Sequence, residues 1–186
     1  MRRTLAMREP EPGRMRRMRM KIYLASSWRN KQQPAVVEVL RSDGHGVYDF
    51  RNPPGNSGFG WEQLDCAPLP WDGNQFCAAL ETRRAKEGFA VDMDHLRDCD
   101  ACVLLLPCGR SAHLELGWAV GAGKRTAILL DHMPEPELMY RMVGFIGTHL
   151  DPLRDWLATQ EVPCRAGRGW GRCRCRTCDA DRRMDP

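Results

Sequence analysis

A chain of 186 residues and 21.2 kDa suffices for one domain with a core of its own and is short for two. Its 42% hydrophobic and 28% charged residues, with a mean hydropathy of −0.52, exclude a collagen, a coiled coil or a chain without a core, and its longest apolar runs, 101–107 and 127–130, fall far short of the roughly 20 residues a bilayer crossing needs. The net charge of +4 divides into +6 over residues 1–21, −6 over 22–163 and +4 over 164–186, so the basic character belongs to the ends, and no nucleic-acid face is expected on the folded part.

Residues 1–19 carry Arg without a following apolar stretch, which fits a disordered basic arm and not an export signal. The domain is expected over 20–160, in a cytoplasmic protein. Residues 20–25 (MKIYLA) predict a first strand, followed by a helix ending near Leu40 and closed by Ser42-Asp43-Gly44. Residues 46–50 (GVYDF) predict a second strand. The Pro-, Gly- and Asn-containing stretch 51–60 suits a binding loop or lid. Helices are expected over 73–87 and 91–98. The continuous apolar run 101–106 has the character of a strand covered on both faces of a parallel sheet.

A helix is expected to open at Ser111 as N-cap and to stop at 121–123, ahead of a strand over 126–130. Residues 137–142 predict a helix, 144–147 a short fifth strand and 149–158 a closing helix. The alternation predicts an α/β fold: an open, doubly wound (flavodoxin- or Rossmann-like) parallel sheet of about five strands with helices on both faces. The tail 161–186 is expected to be flexible, rich in Arg and Cys. Its Cys164, Cys173, Cys175 and Cys178 include one CxxC pair, but Cys164 and Cys173 are too far apart for a second, so no metal is expected.

Ligands of doubly wound sheets bind at the carboxyl ends of the strands, which directs attention to the loops after Ala25, Phe50 and Leu106. The first offers Ser26, Ser27, Trp28 and Arg29 as hydroxyls, a ring and a guanidinium for a phosphate-bearing ligand. The second offers Arg51 and Asn52, and the third Gly109 and Ser111. Glu115, early in the helix that follows, is expected to be held ionised by the helix dipole. By position it could equally be a plain helix-start carboxylate. Tyr23 on the first strand could donate to it, and Asp92 lies before the third strand at a matching depth. A carboxylate so placed can trap an oxocarbenium-like carbon as an ester.

His113 reads as a surface or packing residue, and Asp98 and Asp100 as turn and cap residues. Trp28 and Trp61 could stack on a base or cover the core. Trp118 is expected to be buried. Cys108, without a His or Asn at a known motif spacing, is not expected to be a nucleophile.

Ile22-Tyr23-Leu24, Asp92 and Asp100 before an apolar strand, Glu115-Leu116-Gly117 and the Gly123-Lys124 turn together resemble the nucleoside 2-deoxyribosyltransferase family, which includes deoxynucleoside 5′-monophosphate N-glycosidases. The similarity spans about residues 20–150. It implies Glu115 as nucleophile, Tyr23 orienting it and Asp92 assisting at the nucleobase. It also implies a small-molecule nucleoside or nucleotide substrate, no cofactor, and a homodimer or higher homo-oligomer that completes the pocket. Leu116, Trp118, Ala119 and Val120, next to Gly117, Gly121 and Gly123, supply apolar width for that contact. Where the transferases carry a further Asp six residues before the nucleophile, this chain has Gly109, so hydrolysis and transfer both stay open. The alternatives are a nucleotide-sensing module without turnover and an N-glycosidase acting on NAD.

Overall fold

The computed structural model describes residues 20–55, 57–64, 70–130 and 135–160. The arm at 1–19 and the tail at 161–186, with its four cysteines, lie outside them. The alternation read from the sequence builds five parallel strands, β1 (Lys21–Ala25), β2 (Gly46–Tyr48), β3 (Ala101–Leu105), β4 (Arg125–Leu129) and β5 (Phe145–Gly147), in the order β2-β1-β3-β4-β5. This is the flavodoxin-like order, with its switch point between β1 and β3.

Five helices connect and flank the strands: α1 (Gln33–Ser42), α2 (Gly73–Leu80), α3 (Arg83–Asp98), α4 (Arg110–Gly121) and α5 (Leu150–Thr159). Period-two alternation divides the core into two layers. Ile22 and Leu24 of β1, with Ala101, Val103 and Leu105 of β3, meet Val36, Val37 and Leu40 of α1 and Leu153 and Leu157 of α5. On the opposite face Tyr23, Cys102, Leu104 and Ile128 meet Leu96 of α3 and Ala112, Leu116 and Ala119 of α4.

The two expected helices over 73–87 and 91–98 are divided elsewhere. α2 begins at a capping box in which Asp72 accepts from the Gln75 N–H at 2.8 Å and Gln75 accepts from the Asp72 N–H at 2.9 Å. It ends at Glu81, and the Thr82 hydroxyl caps α3, which then runs unbroken through Gly88. Gly88 marks close packing instead of a break: a Cβ there would stand 2.9 Å from the Cβ of Phe59. Residues 138–142 form a 3-10 helix in place of the expected α-helix.

Lys124 of the Gly-Lys turn donates to the carbonyls of Arg97 and Cys99 at 2.6 and 2.8 Å, tying off α3. Gly123, at φ +68°, supplies the left-handed residue that ends α4. Asp98 and Asp100, expected as turn and cap residues, instead tie the start of β3 to β1, Asp98 pairing with Lys21 Nζ and Asp100 accepting from the Lys21 N–H at 2.7 Å. No described helix is long and apolar enough to cross a membrane.

Candidate active site

Parallel pairing aligns Tyr23 of β1 with Tyr48 of β2 on one side and with Cys102 of β3 on the other, so these three side chains form one rung on the α3/α4 face of the sheet. The Tyr23 and Tyr48 rings stack at 5.1 Å between centroids. α3 lays Asp92 and His95 over this rung. Tyr48 Oη donates to Asp92 Oδ1 at 2.6 Å, and the Tyr48 ring stacks on His95 at 3.9 Å. α4 brings Glu115 in from the other side, one turn before the buried Ala119.

Burial first, and the negative charge of Asp92 second, push the Glu115 carboxyl up to about 7 from an ordinary 4.5, while the Tyr23 hydroxyl offsets part of the rise. The dipole of α4 does not hold Glu115 ionised as its position suggests, because loss of solvation outweighs a helix-end effect that fades beyond the first turn. Asp92 is also raised by burial, with the Tyr48 hydrogen bond and His95 pulling it back. Tyr23 is fully buried, and among the described residues its hydroxyl makes no well-formed hydrogen bond. Burial, Glu115 and Asp92 all keep its proton on, so it stands as a donor facing the carboxylates. Two coupled carboxyls with a phenol between them can hold a nucleophile and exchange a proton.

The loops at the strand ends are knitted together more than they are open. Asn30, 2% exposed, donates to Ser26 Oγ at 3.1 Å and to the Pro107 carbonyl at 3.2 Å, and accepts from the Gln32 N–H at 2.9 Å. Ser26 Oγ donates to the Leu105 carbonyl at 2.9 Å. Ser26 therefore fastens β1 to β3, and it is not at a helix entrance, because α1 begins only at Gln33. Ser27 Oγ accepts from the Arg29 N–H at 3.2 Å, and Arg29 itself is exposed.

Arg51 Nη2 reaches the carbonyls of Ser27, Trp28 and Asn30 at 2.8 to 3.0 Å, and Asn52 donates to Asp49 at 2.9 Å. Arg51 and Asn52 thus shape the loops. Asp49 is the hub of this corner. Although burial works the other way, hydrogen bonds from Asn52, Gln33 and the Arg51 N–H hold it below the usual carboxylate range.

α4 starts two residues earlier than expected, with Gly109 as an N-cap that has no side chain to offer and Ser111 exposed inside the first turn. Beyond its chain neighbours, no described atom lies within 4 Å of a Cβ placed on Gly109. Trp28 lies edge-on to Phe50 at 5.4 Å and is half-exposed, whereas Trp61 belongs to a cluster with Phe59, Trp71 and Phe76.

Cys108 does have a histidine near it, His113 Nδ1 at 3.5 Å, but burial and Glu115 push the thiol up to about 12, so it remains protonated. His113 packs as expected, against the Gly109 carbonyl at 2.9 Å and Tyr140 Oη at 2.9 Å. A space of about 390 Å3 opens beside them, lined by Leu106, Pro107, Cys108, Glu135 and Glu137. Among the described residues no cluster of His, Cys, Asp and Glu has the make-up of a metal site.

Tyr48, His95 and Asn30 join the site without standing out in the sequence. Tyr48 has one legible signal, its place beside Tyr23 in neighbouring strands of like register. The contacts that bring them there, of His95 with Tyr48 and of Asn30 with the Leu105 and Pro107 carbonyls 75 and 77 residues on, leave no local pattern.

The chain is similar at low identity to several solved structures. A 2-deoxyribosyltransferase from Bacillus psychrosaccharolyticus is 20% identical, with a TM-score of 0.48 over 73% of this chain and 90% of that one. A CMP N-glycosidase from Clostridium botulinum is 17% identical, with a TM-score of 0.42 over 74% and 93%. A conserved protein from Enterococcus faecalis V583 is 14% identical, with a TM-score of 0.46 over 75% and 98%. No protein-family model and no curated protein matches the chain.

Proposed function

We propose that the protein cleaves or transfers the N-glycosidic bond of a (deoxy)nucleoside or its 5′-monophosphate through a covalent glycosyl ester on Glu115. The observation that carries this reading is that Glu115 of α4 and Asp92 of α3 come together over Tyr23 of β1, with the carboxyl of Glu115 raised to about 7. The ionised Glu115 attacks the anomeric carbon as the bond to the base nitrogen breaks, and the electron pair leaves with the base. The base gains its proton from Asp92 or from water. Water, or a second base, then attacks the same carbon and returns Glu115 as carboxylate, giving hydrolysis or transfer respectively. Tyr23, whose hydroxyl faces Glu115, is the donor that turns toward the carboxylate and orients it to the sugar when substrate is bound.

The same reading includes a homodimer. The outer face of α4, with Leu114 76% exposed and Trp118 37% exposed between the open Gly117 and Gly121, is apolar beyond what its own sheet covers. α5 lies on the opposite face of the sheet, and no other described element covers this surface.

Incubation with a panel of nucleosides, deoxynucleosides, their 5′-monophosphates and NAD, with chromatographic detection of free base, tests the reading. Base release from at least one nucleoside or monophosphate is expected. Ligand binding without release from any member would favour a sensing module, and release from NAD alone would point to a different substrate.

A further inference from the structure

Tyr48 lies outside the trio that the proposed chemistry uses, yet its hydroxyl makes the one tight side-chain hydrogen bond among the described groups of the site, 2.6 Å to Asp92 Oδ1. Its ring is fixed from both sides, by Tyr23 at 5.1 Å and by His95 at 3.9 Å, and His95 is itself anchored through Nδ1 to the Val91 carbonyl at 2.8 Å. A hydroxyl carried on so constrained a ring has little freedom to turn elsewhere. One Asp92 oxygen is thereby occupied and the other is left for the site.

We propose that Tyr48 is a positioning residue, which fixes Asp92 through the Oη–Oδ1 hydrogen bond and so decides which of the two carboxyls carries the proton they share. The inference deepens the reading of function given above and rests on it for its catalytic meaning. The groups facing Asp92 are Tyr23 from β1, Tyr48 from β2, His95 from its own helix and Glu115 from α4. Those facing Glu115 are Tyr23, Tyr48, Asp92, Cys102 of β3 and Cys108.

A donor on Asp92 favours its charged form, and a charged Asp92 favours the protonated form of Glu115. Without the hydroxyl the buried Asp92 has less reason to stay ionised. The proton moves toward it, and Glu115 ionises at lower pH.

The test is a carbon-13 carboxyl titration of the free protein, with Glu115→Gln and Asp92→Asn for assignment. In Tyr48→Phe, which keeps the ring and its stacking, the Asp92 midpoint should rise and the Glu115 midpoint fall, each by about half a unit or more. In parallel, the acid limb of base release should move to lower pH with a lower plateau. Midpoints unchanged in a folded Tyr48→Phe protein overturn the proposal. Should that variant not fold, the wild-type protein decides: the Tyr48 Cζ resonance must follow the Asp92 titration, and a resonance that ignores it overturns the proposal equally. The carboxyl titration requires no turnover, so a protein without glycosidic activity would count against the proposed function while the midpoints still showed whether Tyr48 governs Asp92.

Discussion

In its proposed role Glu115 combines two demands that oppose each other, since a nucleophile must be ionised and a buried carboxylate is costly. Its folded-state value near 7 lies above the ordinary 4.5, so its contribution to stability is full below about 4.5 and is lost as pH rises through 7. Glu115→Gln should therefore be more stable than the wild type at pH 8, by about 1–2 kcal/mol after allowance for partial exposure, and indistinguishable near pH 4. Urea titrations at the two pH values measure this. A gain at pH 4 equal to that at pH 8 would mean that packing, and not charge, is responsible. Tyr23→Phe is expected to act the opposite way to Tyr48→Phe, because Tyr23 opposes the rise of Glu115: the acid limb of activity should move up by roughly half a unit. Since the hydroxyl has no well-formed partner in the protein, stability should change by less than about 1 kcal/mol. An acid limb that stays in place would detach Tyr23 from the nucleophile.

At the scale of elements, the three loops above the rung are held by buried polar residues more than by apolar packing. Asn30→Ala would leave the Ser26 hydroxyl and the Pro107 carbonyl short of a donor and the Gln32 N–H without its acceptor. A loss of about 2–3 kcal/mol in thermal or urea unfolding is expected, together with faster amide exchange in 26–32; a loss below about 0.5 kcal/mol would show that water replaces these bonds readily. This corner also marks where the sequence stops being legible. The strands are readable because runs such as 101–106 are apolar without interruption, and Glu115-Leu116-Gly117 marks the helix that carries the proposed nucleophile. The polar residues 26–29 and 51–52 have the composition of a ligand loop, but Asn30, Asp49 and the strand-end carbonyls claim most of their donors, and those partners lie up to 79 residues apart in the chain. The α2/α3 boundary is hidden for a local reason, since Gly88 looks like a helix break and serves instead as the seat for Phe59.

At the largest scale, the sheet carries the candidate site on one face, between α3 and α4, and no other described element covers the back of α4. Of the residues expected to make the subunit contact, Leu116 and Ala119 are spent on the chain's own core, while Trp118, expected to be buried, reaches the surface beside Leu114. Leu114→Glu with Trp118→Glu should therefore convert a dimer to a monomer in light scattering at micromolar concentration without altering the circular dichroism spectrum, because neither position is a buried core position. A wild-type monomer with full activity would remove the shared interface.

The ester on Glu115 is the step on which the proposed chemistry depends most directly. Mixing the protein with the panel member from which it releases base, quenching in acid within the first turnovers and measuring intact mass followed by peptide mapping should reveal a glycosyl increment on the peptide containing Glu115. The increment should be absent from Glu115→Gln, and base release should fall by at least about 10^3-fold in that variant. A folded Glu115→Gln protein that releases base at the wild-type rate, or a glycosyl increment carried by any other residue, would contradict Glu115 as the nucleophile.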